Sequence, residues 1–146
     1  MDETIQNFVQ CKRLAIVGVS HDAKKFGNTI YSELKKRGYQ IYGVNPSMTE
    51  LDGEPCYPFL EALRGKIDGV VICLQPAKII PVLQEAAQIC LTHIWLQRGA
   101  ETPEVMEAAK KLGLHPVSKK CILMYAAPVQ SFHKFHRFVT KLAGQL

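Results

Sequence analysis

The sequence has no run of about twenty apolar residues, the length that a membrane-spanning helix requires. Its first residues, with Asp2 and Glu3, lack the apolar segment of a signal peptide. A cytoplasmic location without a membrane partner is therefore expected. Linkers, low-complexity segments and internal repeats are also missing. With 146 residues, 47% hydrophobic and 21% charged, the chain is typical of one globular domain with a buried core.

Closely spaced cysteine pairs, which mark zinc sites and disulfide frameworks, are absent as well. The five cysteines are Cys11, Cys56, Cys73, Cys90 and Cys121. We expect reduced thiols and no metal site. Cys73 and Cys90 lie in apolar runs and are expected to be small buried residues.

Two of the three glycines of the dinucleotide-binding fingerprint are missing after the first apolar run, residues 14–17. The fingerprint places glycine at offsets zero, two and five, where this chain has Gly18, Ser20 and Ala23. Gly18 still permits a tight turn. We therefore expect a phosphate-binding turn of a different kind, longer than the usual dinucleotide loop.

The helix that follows this turn supplies the groups that bind phosphate. Backbone amides at its start, near Phe26, Gly27 and Asn28, are free to receive an anion. Lys25 adds positive charge beside them. The NAD-binding pattern also needs Asp or Glu about twenty residues after the glycine turn, to hold the ribose hydroxyls. Here Asn45 and Pro46 stand at the end of the second apolar run, which disfavours NAD.

Short apolar runs alternate with helical patterns along the chain, as parallel strands do in βαβ units. The strands are predicted at 14–17, 40–44, 69–74 and 93–96, with "LHPV" as a fifth, short edge strand. The first helix is predicted from Gly27 to Arg37 and ends at Gly38. Another begins at Thr102 and Pro103 and ends at Gly113. The fold class is α/β: a doubly wound, Rossmann-like, mainly parallel sheet of five strands in the order 3-2-1-4-5.

The end of the chain predicts an extra amphipathic helix at about 129–143. Its apolar stripe consists of Phe132, Phe135, Val139 and Leu142. Two interpretations are open, a helix that covers the sheet and a homodimer interface. A metal site at His133 and His136 is disfavoured because no carboxylate or thiolate stands nearby.

Five short elements follow one another in a recognisable order. They read Gly18-Val19-Ser20 with Gly27, Val44-Asn45-Pro46, Gly53-Glu54-Pro55-Cys56-Tyr57, Asp68 through Pro76, and Gln97-Arg98-Gly99-Ala100. Their order and spacing resemble the small bacterial and archaeal CoA-binding domain proteins, free-standing relatives of the CoA-binding domain in the succinyl-CoA synthetase α subunit and in acyl-CoA synthetases. The resemblance covers about residues 10 to 125, and the whole chain is expected to be one such domain.

The resemblance implies a site for coenzyme A (CoA) or an acyl-CoA beyond the carboxyl ends of the strands. The turn at 18–20 and the helix start would hold the pyrophosphate. Val44 and Pro46 would flank the adenosine. The implied cofactor-binding set is Gly18, Val19, Ser20, Lys25, Phe26, Gly27, Asn28, Val44, Asn45, Pro46, Leu74, Pro76, Leu96, Gln97, Arg98 and Gly99. Arg98 departs from the family, which often has a small or apolar residue there.

Two further expectations concern single residues of this implied site. Cys121 matches a cysteine common after the last strand of the family; it is either a buried thiol or a ligand-side thiol open to a mixed disulfide with CoA. Replacing Gly18 with Val is expected to block approach of the ligand to the backbone while folding persists.

Catalysis is not predicted, because no nucleophile or acid-base group can be placed at the strand ends. The synthetase relatives use a phosphorylated histidine from another domain, and His21, the histidine in a strand-end loop, is expected to face solvent. The sequence thus favours a binding module, a carrier, sensor or regulator. The alternative is an NAD(H)-type sensor on the same fold. Nucleic acid is not an expected partner, because the charge of +5 comes from dispersed lysines without an aromatic platform.

Overall fold

The computed structural model describes residues 3–129 of the chain. The helix predicted at about 129–143, with its aromatic stripe and with His133 and His136, lies outside the described residues apart from Val129. Within residues 3–129, no helix has both the length and the apolar character needed to cross a bilayer.

Seven strands form the sheet, in the order β3-β4-β2-β1-β5-β6-β7. They are β1 (Arg13–Val17), β2 (Gln40–Val44), β3 (Glu50–Leu51), β4 (Glu54–Tyr57), β5 (Gly69–Ile72), β6 (His93–Gln97) and β7 (Val117–Lys120). Neighbouring strands are parallel except β3 and β4, which pair antiparallel. The carboxyl ends of β1, β2, β5 and β6 therefore meet at one edge.

The predicted fold class is confirmed, but the predicted count of five strands is wrong. β4 was not predicted, because Pro55 cannot donate to a ladder and argues against a strand. β4 nevertheless pairs with β2 through Gly43 with Cys56 and Val44 with Tyr57. The third predicted strand, at 69–74, was expected beside β2. It is β5 in the structure and pairs with β1 instead. The strand beside β2 is β4, so the order 3-2-1-4-5 holds only when β4 is counted as the third strand.

Within the described residues, four α-helices cover the two faces of the sheet. They are α1 (Glu3–Val9), α2 (Phe26–Lys36), α3 (Ile79–Gln88) and α4 (Pro103–Lys111). Alternate strand residues face opposite ways, so Ile16, Val71 and Trp95 pack with α1 and α2, whereas Val70 and Ile72 pack with α3 and α4. Short 3-10 helices at Leu60–Leu63, Pro76–Lys78 and Ile122–Met124 complete the connections.

Helix termini follow the sequence signals closely. α2 ends one residue before its predicted end, and Gly38 adopts a φ of 96° there. The Thr102 hydroxyl accepts a hydrogen bond from the Val105 N–H at 3.2 Å and caps α4. Sequence reasoning missed α1, which is anchored by the edge-to-face contact of Phe8 with Trp95, their ring centroids 5.2 Å apart.

Candidate ligand-binding cleft

A cleft runs along the carboxyl edge of the sheet and has two adjoining parts. The cationic part, about 600 Å³, lies between the β1–α2 loop, the start of α2 and the ends of β5 and β6. The apolar part, about 720 Å³, lies between the end of β2, the segment before Leu60–Leu63 and α3. The residues shared by both parts are Gly18, Val19, Asn45, Leu74 and Lys78. The cleft is thus continuous across the end of β1.

The cationic part carries uncompensated positive charge. Lys25, Lys78 and Arg98 line it, and none of them forms an ion pair with another residue in the described range 3–129. No Asp or Glu of those residues lines this part. Close-lying cations without carboxylates raise the local concentration of an anion.

The start of α2 faces this part with unpaired amides. Neither the Lys25 N-cap position nor an acidic residue of the first turn caps the helix. The first backbone bonds run from the N–H groups of Asn28 and Thr29 to the Lys25 carbonyl, so the N–H groups of Phe26 and Gly27 have no acceptor among the described residues. These two donors, with the positive end of the helix dipole, suit a phosphate.

Asn28 fixes the β1–α2 loop from behind the cleft. Its side chain is buried; its Oδ1 accepts from the Ser20 N–H and its Nδ2 donates to the Ser20 carbonyl, both at 2.8 Å. The Ser20 hydroxyl in turn accepts from the Asp22 N–H at 3.1 Å. Asn28, predicted among the ligand-binding residues, does not line the cleft and instead positions the loop that does.

Gly18 and Gly27 permit two close approaches of backbone. A Cβ on Gly18, whose φ is 126°, would lie 2.2 Å from the Cys73 carbonyl oxygen. A Cβ on Gly27 would lie 2.3 Å from the Gly18 carbonyl oxygen. The glycines thus bring β1, β5 and α2 together. A side chain on Gly18 would clash with the protein's own backbone, so Gly18→Val is expected to lower the free energy of unfolding, and the expectation that folding persists stays a prediction.

Asn45 ties the end of β2 to the loop after β1. Its Nδ2 donates to the Val19 carbonyl at 2.8 Å, and its Oδ1 accepts from the Ser47 N–H at 2.7 Å. Both polar atoms of the side chain therefore have protein partners. The residues that follow β2 at the cleft, Asn45, Pro46 and Ser47, include no carboxylate.

The apolar part has a different lining. Its apolar members are Val17, Val19, Val44, Pro46, Pro58, Phe59, Leu74, Pro81 and Val82. Phe59 is 56% exposed although it is aromatic, and it stands at the rim. The polar side of this part comes from α3, with Gln84, Glu85 and Gln88. Sequence reasoning did not place Phe59 or the residues of α3 at the cleft, because no local motif marks them.

All but two of the predicted residues line the cleft. They are Gly18, Val19, Ser20, Lys25, Phe26, Gly27, Val44, Asn45, Pro46, Leu74, Pro76, Gln97, Arg98 and Gly99. The exceptions are Asn28, behind the loop, and Leu96, which is fully buried on the face covered by α3 and α4. Strand alternation could have separated Leu96 from its neighbour Gln97.

Gln97 is one of two buried polar residues among those described, and it is 4% exposed. Its Oε1 accepts a hydrogen bond from the Ile122 N–H at 3.1 Å. Its Nε2 has no acceptor within residues 3–129, and the residue lines the cationic part. The bond to Ile122 fixes which end of the amide is free, so Gln97 offers a donor to the cleft.

The cysteine that lines the cleft is Cys73, not Cys121. Burial raises the pKa of the Cys73 thiol, and the nearby Cys121 raises it further, so the thiol stays protonated and weakly nucleophilic at neutral pH. Cys73 is half-buried and Cys90 is exposed, so the expectation that both are buried is wrong; Cys90 lies just after α3 and has a φ of 59°. Across residues 3–129, no three His, Cys, Asp or Glu side chains are grouped to hold a metal ion.

A family model described as a CoA binding domain matches residues 12–127. The chain belongs to the CoA-binding domain family. The match begins just before β1 and ends just after the 3-10 helix Ile122–Met124, so it includes every strand and both parts of the cleft.

Relatives of this CoA-binding domain fall into two groups. ADP-forming acetate–CoA ligase I of Archaeoglobus fulgidus is 28% identical over 137 residues, 86% of this chain but 20% of the ligase. The uncharacterised protein YneT of Bacillus subtilis is 26% identical over 111 residues, 76% of this chain and 82% of that protein. A conserved hypothetical protein of Pyrococcus furiosus superposes with a TM-score of 0.73 at 30% identity, covering 77% of this chain and 97% of that one. The chain thus spans about a fifth of the ligase and more than four fifths of each of the two small proteins.

Proposed function

We propose that this protein binds coenzyme A or an acyl-CoA in the cleft and acts as a non-catalytic carrier, sensor or regulatory module. The observation that carries the proposal is the cationic part of the cleft. There the unpaired N–H groups of Phe26 and Gly27 lie beside three cations and no carboxylate. Membership of the CoA-binding domain family supports coenzyme A as the anion.

The two parts of the cleft match the two chemical halves of the ligand. The pyrophosphate would lie at the start of α2, where helix dipole and lysine charge act together. The adenosine would lie in the apolar part, between Val44, Pro46 and Phe59. The proposed binding unit is the core of about residues 10–125, in agreement with the span of the family match.

The chemistry of the lining supports binding rather than catalysis. In the cationic part, burial raises the pKa of the Cys73 thiol, and the Ser20 hydroxyl accepts a hydrogen bond from the Asp22 N–H. No described histidine or carboxylate lines this part to act as a base. The proposed setting is the cytoplasm with the small molecule as partner, and without nucleic acid or membrane. A homodimer through the tail stays a prediction about residues outside the described range.

The test compares CoA with NADH by thermal unfolding and calorimetry. At a concentration about one hundred times its dissociation constant, CoA should add about 2.7 kcal/mol to the free energy of unfolding. For a domain of this size that is a shift in Tm of a few degrees. NADH should give a smaller shift, because both amide ends of Asn45 are occupied and no carboxylate is present to hold its ribose.

Acetyl-CoA is included because a carrier or sensor of acyl groups should bind it at least as tightly as CoA. A shift with NADH larger than the shift with CoA, or no shift with either CoA or acetyl-CoA, would overturn the proposal.

A further inference from the structure

A third concave region lies at the β7 edge of the sheet, away from the ligand-binding cleft. It has a volume of about 510 Å³ and lies between the start of α1, the second half of α4 and the segment that leads into β7. Its floor consists of Ile5, Met106, Leu114 and Val117, and its charged rim consists of Lys110 and Lys120. We call it the β7 groove. None of its lining residues lines either part of the cleft, so it is a separate surface.

The floor of the β7 groove is aliphatic. Ile5, Leu114 and Val117 are buried, and Met106 is half-buried. Such a floor accepts an apolar side chain from a partner, because the apolar surface of both is then removed from water. No aromatic residue of the described range lines the groove, so a nucleic-acid base would find no ring on which to stack. The floor therefore favours a protein partner over a nucleic acid.

The rim of the β7 groove is cationic. Lys110 and Lys120 are exposed and line it, and no Asp or Glu of residues 3–129 does so. Lys111 and Lys119, their neighbours in sequence, are exposed as well. None of these lysines forms an ion pair with another described residue. Like charges around one groove attract an anionic partner over the Debye length, about 8 Å at physiological salt.

The sequence shows the same excess of positive charge. Of the 18 Lys and Arg residues, seven lie after Glu107, and no Asp or Glu follows it. Glu107 and the residues before it include more acidic than basic side chains, so the net charge of +5 arises entirely in the residues after it. The lysines at and beside the β7 groove belong to this group. Because no carboxylate near them in sequence compensates their charge, a partner would bring the complementary negative charge.

We propose that the β7 groove is a docking site for an acidic segment of a partner protein. An apolar side chain of the segment lies on the floor, and its carboxylates pair with Lys110 and Lys120. The segment lies in the groove rather than beside β7 as a further strand, because Lys119 has a φ of 66° and the β6–β7 ladder is irregular there. Lysines on an edge strand also disfavour strand addition. A bilayer surface would reach the rim but not the concave floor. The proposal does not rest on the function proposed for the cleft.

The test measures binding of a synthetic acidic peptide to the full chain by calorimetry. The probe is an octapeptide with leucine and phenylalanine at its centre and aspartate or glutamate elsewhere. In the Lys110→Gln, Lys120→Gln double variant, its affinity should fall about tenfold at low ionic strength, because two exposed ion pairs are lost. The matched control is the Lys111→Gln, Lys119→Gln double variant, which removes the same charge from neighbours that do not line the groove. It should lose about threefold or less. A probe with alanine at both central positions should bind wild-type protein roughly fivefold more weakly, because it leaves the floor empty.

Equal losses in the two double variants would mean that only net charge matters, and equal binding of the two peptides would mean that the floor is not used; either result overturns the inference. Wild-type protein that does not bind the probe at millimolar concentration also overturns it. A loss in Lys25→Gln as large as that in the lining variant would place the peptide in the cationic part of the cleft instead. A single-stranded oligonucleotide or a phosphatidylserine vesicle that binds the groove more tightly than the probe would assign it to a different class of partner, which contradicts the proposal.

A second measurement locates the peptide without any variant. In wild-type protein with ¹³C-labelled methionine methyl groups, the resonance of Met106, on the floor, should shift when the probe is added. The resonance of Met124, which is 70% exposed and lies outside the groove, should stay in place. A Met106 resonance that does not move, or one that moves no more than that of Met124, would contradict the proposed docking site.

Discussion

The two parts of the cleft are built by different means. The cationic part takes its unpaired backbone N–H groups and Lys25 from one loop and one helix start close in sequence to Gly18, while Lys78 and Arg98 come from distant parts of the chain. The apolar part is assembled from the end of β2, Phe59 and α3, which are distant in sequence. The helix start proposed for phosphate is therefore local in sequence, whereas the wall proposed for adenosine depends on the tertiary structure.

The largest expected effect comes from Gly18, which belongs to both parts. In Gly18→Ala, the Cβ would lie 2.2 Å from the Cys73 carbonyl oxygen at a φ of 126°. We expect a loss of about 2 to 4 kcal/mol in the free energy of unfolding, from backbone strain and overpacking together. Urea denaturation measures it.

Gly53→Ala is the control for Gly18→Ala. Gly53 also has a positive φ, 80°, but its Cβ would meet no atom within 4 Å. Its loss should be about 1 kcal/mol, from conformation alone. Equal losses in the two variants would show that the close approach of Gly18 to Cys73 is unimportant.

Phe59→Ala tests the apolar part alone. Stacking of a base on an aromatic side chain contributes about 1 to 3 kcal/mol, so the affinity for CoA should fall roughly tenfold, with little dependence on salt. Phe26→Ala is the matched control, since Phe26 is exposed to a similar degree, 47%, but lines the cationic part. It keeps its backbone N–H and should lose less. A greater loss in Phe26→Ala would place the base in the other part of the cleft.

The smallest expected effect is that of a single exposed charge. Lys25→Gln should lower the affinity for CoA about threefold to fivefold at low ionic strength, or about 1 kcal/mol. The loss should shrink as salt screens the remaining charges. Lys24→Gln removes the neighbouring charge, which is exposed but outside the cleft, and should have a smaller effect. If both variants lose the same affinity, the effect is one of net charge rather than of position.

The difference between features that are local in sequence and features that depend on tertiary structure explains how much of the molecule could be predicted. Apolar runs and glycine stops act locally, so β1, β2 and the ends of α2 and α4 were found within a residue or two. β4 was missed because Pro55 argues against a strand, while its pairing with β2 depends on Cys56 and Tyr57 reaching a neighbour that only the folded sheet provides.

The site residues could also be predicted only where a local sequence feature marks them. Residues next to strand ends, such as Ser20 and Pro46, were found because topology places them at one edge. Phe59 and Val82 were not, because their presence at the cleft follows from the packing of the 3-10 helix Leu60–Leu63 and α3 on the sheet. The free Nε2 of Gln97 could not be predicted either, since it depends on the bond that Ile122 makes with the other end of the amide.

The Asn28 clamp has a thermodynamic consequence. Because its side chain holds both the N–H and the carbonyl of Ser20, part of the conformational entropy of the loop after β1 is lost during folding rather than on binding. The side chain that holds Ser20 is buried and does not line the cleft. A ligand bound at this loop would therefore meet a smaller entropic cost of ordering it, and more of the heat of binding would come from the contacts themselves.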